Sequence, residues 1–186
     1  VDEGNAIGWA DGRLPWKIPY DMKRFKELTT NSTVVMGRST YQSLNLPNGL
    51  PNRRNIVLTR RPYAEVKNQF GDVEIISSML WVEQHAAAQL RTVAGTDREP
   101  SDIWIIGGAS VYAEALEKQL VEELHVTFVH GDSGADVKLP FELAAWKLFI
   151  LRQQKLGVHW EIVDHLRPTV VAPSPGIDIL VFRRTL

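Results

Sequence analysis

Ile103-Trp104-Ile105-Ile106-Gly107-Gly108-Ala109-Ser110 is the stretch that decides the fold class. Four consecutive large apolar residues leave no polar face, which fits a strand covered on both sides. Two glycines end the run, and a helical pattern opens at Ser110. Strand, bare turn and helix in that order form the repeating unit of an α/β protein. The order recurs upstream. A strand over 32–36 ends at Gly37 and leads into a helix over 39–44, and a strand over 54–59 carries Ile56-Val57-Leu58. A weaker strand over 73–76 precedes a helix over 79–93. Helices over 19–29 and 110–119 complete the series. The expectation is a central mixed, mostly parallel sheet flanked by helices.

After Leu124 the rhythm changes. Segments 124–129, 146–153, 159–163 and 177–182 read as strands with no long helix between them, so antiparallel C-terminal strands should join one edge of the sheet. Segment 167–176, with three prolines and a glycine, reads as a loop. No repeat, low-complexity tract or interdomain linker stands out, so residues 1–186 read as a single domain.

The bulk properties exclude several function classes. With 186 residues, 44% hydrophobic and 23% charged, the chain reads as soluble and globular. A formal net charge of −1 provides no broad attraction for nucleic acid or an anionic membrane. Cysteine is absent, which removes disulfides and thiolate chemistry and fits a reducing, cytoplasmic compartment. No apolar stretch approaches the roughly 20 residues of a membrane span, and no signal-peptide pattern opens the sequence. A cytoplasmic monomer without nucleic-acid or membrane partners is expected.

Four constellations carry chemistry. Leu14-Pro15-Trp16-Lys17-Ile18-Pro19-Tyr20-Asp21-Met22-Lys23-Arg24-Phe25 leads into the first helix, with Met22, Phe25 and Leu28 on one face. Asp21 falls near the helix start beside that face, as a helix-end charge or as a partly buried acid with a task. Gly107-Gly108 at a strand end can bring bare backbone N–H groups to an anion, although tight turning alone is the commoner use. Gly37-Arg38-Ser39-Thr40 offers a second such junction, where a helix cap is the other reading of Ser39 or Thr40. Arg60-Arg61 follow the next strand, at what would be the same sheet edge, where α/β folds gather ligands. Arg53, in Leu50-Pro51-Asn52-Arg53, reads on local grounds as a surface charge. The five histidines show no metal-ligand spacing.

Taken together the blocks resemble dihydrofolate reductase of the bacterial chromosomal type. The pieces are Ile7-Gly8, Leu14-Pro15-Trp16 with Pro19 and Asp21, Phe25-Lys26 with Thr29, and Val35-Met36-Gly37-Arg38-Ser39-Thr40-Tyr41 with Ser43-Leu44. Then follow Leu50-Pro51-Asn52-Arg53 with Asn55-Ile56, Ile105-Ile106-Gly107-Gly108, Val111-Tyr112, Leu124, Thr127, and Asp136 with Pro140. Their order spans nearly the whole chain, which makes the series specific although no single block is.

The resemblance implies NADPH-dependent reduction of 7,8-dihydrofolate to tetrahydrofolate, with an adenosine-binding subdomain at approximately 37–107. It implies that Asp21 anchors the pterin, with Thr127 supporting it, Trp16 holding a water nearby and Leu14 in a mobile loop over the nicotinamide. Phe25, Leu44 and Leu50 would form apolar walls, and Arg53 would grip the α-carboxylate of the glutamate tail. Tyr112 would pack near the nicotinamide, and Ile106 would line the pocket end. The cofactor would be held by Ile7, Gly8, Gly37, Arg38, Ser39, Thr40, Thr59 and Arg60, and by Gly107, Gly108, Ala109, Ser110 and Val111. Antifolate-type small molecules would bind the same site, and no metal is implied.

The sequence departs from the family pattern in places. The family opens with a short apolar strand, and this sequence begins after it. Ser110 stands where many relatives carry Arg, and Ala135 replaces a common glycine before Asp136. Two alternatives remain open at this point. One is a pyrimidinone reductase of the riboflavin pathway, which shares the fold but lacks the Leu-Pro-Trp…Asp block. The other is a non-catalytic protein with the reductase fold.

Overall fold

The computed structural model describes residues 1–96, 100–168 and 175–185. Residues 169–174 of the proline-rich segment therefore lie outside the described residues. Along the chain the elements are β1 (Ala6–Gly8), α1 (Pro19–Thr29), β2 (Thr33–Gly37), α2 (Arg38–Leu44), β3 (Arg54–Leu58) and α3 (Tyr63–Val66). There follow β4 (Glu74–Ile76), α4 (Leu80–Val93), β5 (Ile103–Ile105), α5 (Ala109–Glu117) and β6 (Glu123–Val129). The last are β7 (Val137–Lys138), α6 (Trp146–Lys155), β8 (His159–Leu166) and β9 (Ile177–Thr185). The chain divides into two compact units, Phe25–Ala115 and the combination of Val1–Arg24 with Leu116–Leu186.

The unit Phe25–Ala115 holds a four-stranded sheet in the order β4-β3-β2-β5, parallel throughout. Val34 pairs with Asn55 on one side and Trp104 on the other, so β2, like β3, is an inner strand. Val34, Val35 and Met36 are fully buried, as continuous apolar runs between parallel neighbours should be. Met36, Val57, Val66, Phe70 and Tyr41 form the core of this unit, with Leu44, Leu50 and Ile106 packed against it.

The other unit holds a three-stranded antiparallel sheet in the order β6-β9-β8 and a small antiparallel pair, β1-β7. Parallel strands in one part and antiparallel strands in the other match the expected fold class. Ile179 and Phe182 on β9 are fully buried.

One expected strand is a helix. Segment 146–153 forms α6, because a short apolar run such as Leu148-Phe149-Ile150-Leu151 has no period that separates strand from helix. Its flanks settle the matter: Lys, Leu, Arg and Gln favour helix. Gly157 then stops it in a left-handed conformation at φ +77°, donating to Gln154 O at 3.0 Å. Only Phe149 on this helix is buried.

Candidate active site

Pro19 opens α1 with a fixed φ and no N–H to leave unpaired. The Met22 N–H bonds back to Ile18 O at 3.1 Å, and Ile18 is buried with Val129, Ile177 and Ile179, with Trp16 packed against them. This apolar anchor fixes where the helix begins and therefore where Asp21 stands. Asp21 lies in the first turn, where the helix dipole favours a carboxylate. The Thr127 hydroxyl on β6 donates to Asp21 Oδ1 at 2.5 Å. Oδ2 accepts no hydrogen bond among the described residues. Each carboxylate oxygen can accept two bonds, so this half-buried acid can still face a pair of N–H donors.

The loops around Asp21 are held by other side chains of the same unit. Asp2, 1% exposed, accepts from Ala6 N at 2.8 Å and from Ser133 N and Oγ at 2.8 and 2.5 Å. Burial alone would raise its pKa, but these bonds outweigh burial and hold the carboxyl below its usual range. Asn5 sits at φ +63° and makes four bonds. Its amide donates to Leu139 O and Phe141 O at 3.1 and 2.8 Å, and its oxygen accepts from Leu143 N and Ala144 N at 3.0 Å each. Asp136 accepts from Ala10 N at 2.8 Å. Ile7 and Gly8 lie on β1, and Leu14 is 60% exposed just beyond the 9–13 turn.

Arg53 is built in by its own unit. Its Nε donates to Thr29 Oγ1 at 2.8 Å, Nη1 to Pro51 O at 2.6 Å and Nη2 to Lys26 O at 3.2 Å. Three of the five N–H groups are thus engaged, leaving one on each terminal nitrogen, the pair that a carboxylate bridges. The guanidinium lies 5.9 Å from the Phe25 ring centre, and its burial lowers its pKa. Asn55 holds the loop that carries it. Its side chain accepts from Leu50 N at 2.8 Å and donates to Leu50 O at 2.8 Å and Arg53 O at 3.0 Å. A groove of about 520 Å³ runs past Leu50, Arg53 and Asn55.

In this unit the two glycine junctions meet. Gly37 N donates to Gly107 O at 2.7 Å, and Gly108 O accepts the first bonds of α5, from Val111 N and Tyr112 N at 3.0 Å each. A cis peptide joins Gly107 to Gly108. Gly107 sits at φ +110°, and a Cβ there would lie 3.2 Å from the Tyr112 ring. Gly37 caps α2 with no side-chain bond, so Ser39 and Thr40 do not serve as its cap. Ala109 and Ser110 begin α5, and Val111 is buried beneath. Thr59, buried after β3, accepts from Arg61 N at 3.2 Å. Arg38 donates to Gln42 at 2.8 Å, and Arg60 pairs with Glu114 at 3.3 Å.

The sequence pattern of the dihydrofolate reductase family matches residues 1–159. The chain belongs to that family. It is similar to dihydrofolate reductase of Bacillus subtilis (strain 168), 32% identical over 149 residues, which are 80% of this chain and 77% of that one. It is also similar to dihydrofolate reductase type 3 of Salmonella typhimurium, 35% identical over 136 residues, 73% of this chain and 72% of that one. A solved structure of the Enterococcus faecalis dihydrofolate reductase, complexed with NADP(H) and RAB-propyl, aligns with a TM-score of 0.74 at 27% identity. It covers 100% of this chain and 92% of its own. These matches favour the dihydrofolate reductase reading over the pyrimidinone reductase and scaffold alternatives.

Several residues of this family member were not visible as functional in the sequence. Asn5 carried no such signal within the polar stretch Asp2-Glu3-Gly4-Asn5, and Thr29 and Asn55 entered only as members of the family series, without roles of their own. No group of three metal-ligating side chains occurs among the described residues. No described helix is long and apolar enough to cross a membrane.

Proposed function

We propose that the protein reduces 7,8-dihydrofolate to 5,6,7,8-tetrahydrofolate with NADPH, using Asp21 to anchor the pterin. The observation that carries this reading is the Asp21 carboxylate, held by Thr127 at 2.5 Å with acceptor capacity left for two N–H donors. A pterin presents such a pair, a ring N–H beside an exocyclic amino group. Reduction of the ring imine requires a proton at the neighbouring nitrogen, and an anchored carboxylate favours the protonated pterin electrostatically, with water as the last carrier. Trp16 would hold that water, while Leu14 would cover the site against bulk solvent.

Phe25, Leu44 and Leu50 would enclose the rings, with Ile106 and Tyr112 closing the nicotinamide end. The two remaining N–H groups of Arg53 suit the α-carboxylate of the glutamate tail. NADPH, when bound, supplies the hydride. The residues fit it: Gly107 and Gly108 keep a side-chain-free approach that a Cβ would fill, and Ser39 and Thr40 offer hydroxyls at the α2 start. Arg38, Thr59 and Arg60 would attend the phosphates, with Ile7, Gly8, Gly37, Ala109, Ser110 and Val111 supporting the cofactor. Antifolate-type molecules would compete at Asp21. The enzyme would work as a cytoplasmic monomer.

The test is direct. Nicotinamide absorbance should fall when the protein is mixed with NADPH and dihydrofolate, and an antifolate should stop it. NADPH binding without dihydrofolate turnover would sink the proposal.

A further inference from the structure

Asp21 is not the only residue of α1 that reaches β6. Three positions on, and on the same helix face, Arg24 points its Nη2 at His125 Nδ1 at 3.0 Å. His125 and Thr127 alternate along β6 and share a face of the strand, as does Glu123. His125 Nε2 lies 3.1 Å from Glu123 Oε2, and its side chain is 16% exposed. Glu123 is clamped in turn by Arg183, its partner on β9, through bonds of 2.8 and 2.6 Å to Oε1. The Arg183 bonds, assisted by His125, hold its carboxyl below the usual range against the opposing effect of burial.

The chemistry of the row fixes the imidazole. A guanidinium only donates, so Nδ1 must offer its lone pair to Arg24. Nε2 then carries the hydrogen, which Glu123 accepts. The ring is read in two directions at once, as acceptor toward α1 and as donor along β6. A single link between a helix and a strand lets the helix roll about it; two links side by side set its rotation.

We propose that Arg24 and His125 are positioning residues for Asp21. Their contact is a second side-chain link between α1 and β6, beside that of Asp21 with Thr127, and it aims the carboxylate that Thr127 holds. This rests on the reading of Asp21 as the pterin anchor. An anchoring acid must meet two N–H donors in one plane, and misplacement of such a group by about 1 Å can lower rates about a hundredfold. Removing one of two links should have a smaller effect, about tenfold in kcat/KM for dihydrofolate.

The experiment compares variants of the whole protein by dihydrofolate turnover and by NADPH affinity. His125→Leu should lower kcat/KM for dihydrofolate about tenfold, while the Kd for NADPH stays within about twofold of the parent. His125→Asn places an amide oxygen near the position of Nδ1 and should recover most of the loss. His125→Gln reaches Glu123 instead and should not. Arg24→Met, a surface-side change that tests the same link without touching the sheet, should match His125→Leu, and the double variant should be no worse than either.

A parent that turns over dihydrofolate, with His125→Leu and Arg24→Met equal to it, overturns the positioning role and leaves Asp21 as the anchor. Rescue by Gln as complete as by Asn, or parallel loss of NADPH affinity, also overturns it. A parent that binds NADPH but never reduces dihydrofolate overturns the underlying reading itself.

Discussion

Residues 1–24 and 116–186 are tied to one another by long-range side-chain bonds as well as by the β1-β7 pair, whereas the glycine junctions of residues 25–115 meet through backbone alone. In the first unit Thr127, Asp136, Asp2 and Asn5 make bonds that span 106 to 139 positions in sequence. In the second, parallel ladders join β4, β3, β2 and β5, and the glycine turns meet through Gly37 N and Gly107 O. The difference has a consequence for substitution. Groups in the first unit can be deleted by truncating one side chain. The groups that join the two glycine turns of the second are peptide N–H and C=O, which no truncation removes. They are disturbed only by adding atoms where none fit.

The largest effect should come from the acid at the centre of the side-chain network. Asp21→Asn keeps the volume and can still accept from Thr127, but it removes the charge that favours a protonated pterin. A loss of about 10³-fold in dihydrofolate turnover is expected, which corresponds to about 4 kcal/mol in the barrier. NADPH affinity, which does not depend on the Asp21 charge in this reading, should stay within about twofold of the parent. Equal loss of both measurements in steady-state kinetics and titration would erase the contrast between the units.

The same contrast explains what the sequence disclosed. Strands covered on both faces advertise themselves as unbroken apolar runs, so Val34-Val35-Met36 and Ile56-Val57-Leu58 were legible, whereas Ile103–Ile105, read the same way, is an edge strand whose residues are each half-buried. Helix α1 was legible from Pro19 and its periodic face. The other unit hid more. The pair β1-β7 is three and two residues long, too short for any period to appear. The α6 run read as a strand because four apolar residues in a row fit either structure. In the site, Arg53 looked like surface charge on local grounds; only the resemblance gave it a role, and Thr29, Pro51 and Lys26 hold it through contacts no local pattern announces. Only the family resemblance paired Asp21 with Thr127, since no local pattern announces a partner 106 positions away. Arg24 and His125 carried no signal at all: Arg24 had no reading of its own, and His125 was one of five histidines without metal-ligand spacing.

A second prediction isolates a side chain from its backbone. Asn5 sits at φ +63°, so Asn5→Gly keeps that conformation accessible and deletes only the four side-chain bonds. Four backbone groups of residues 139–144 lose a bond to this side chain, although Leu143 N and Phe141 O keep the one between them, and the cost should be about 3 kcal/mol in urea unfolding. Asn5→Ala should cost more, because the left-handed backbone penalty is added. Equal midpoints for Gly and the parent would show that the long-range bonds do not stabilise the first unit.

The matching change in the second unit adds an atom. Gly107 has φ +110°, and a Cβ would press on the Tyr112 ring at 3.2 Å, so Gly107→Ala should cost about 2 kcal/mol in backbone strain. NADPH affinity should weaken with it, read by fluorescence titration. Arg53→Met nearby should leave NADPH affinity alone. A Gly107→Ala protein as stable and as tight for NADPH as the parent would mean that the bare turn is not required.

The smallest effect lies at the far end of the side-chain network, where no catalytic role is assigned. Asp178 on β9 accepts from His130 Nε2 at 2.8 Å, from His165 Nε2 at 3.0 Å and from Arg167 Nε at 2.8 Å. The histidine bonds first, then Arg167, pull its pKa to about 2 against the opposing effect of burial. A folded-state pKa below the unfolded value of about 3.9 means that the bound proton favours the unfolded chain. The contribution is therefore complete above about pH 4 and disappears as the pH falls toward 2. Its three partners are largely exposed, so solvent screening should reduce it to about 1 kcal/mol. Asp178→Asn should lower stability by that amount at neutral pH and flatten the acid limb between about pH 4 and 2, while leaving dihydrofolate turnover unchanged. If turnover fell as well, the side-chain network of this unit would have to be treated as one coupled system extending from β9 to Asp21, and not as separate local clamps.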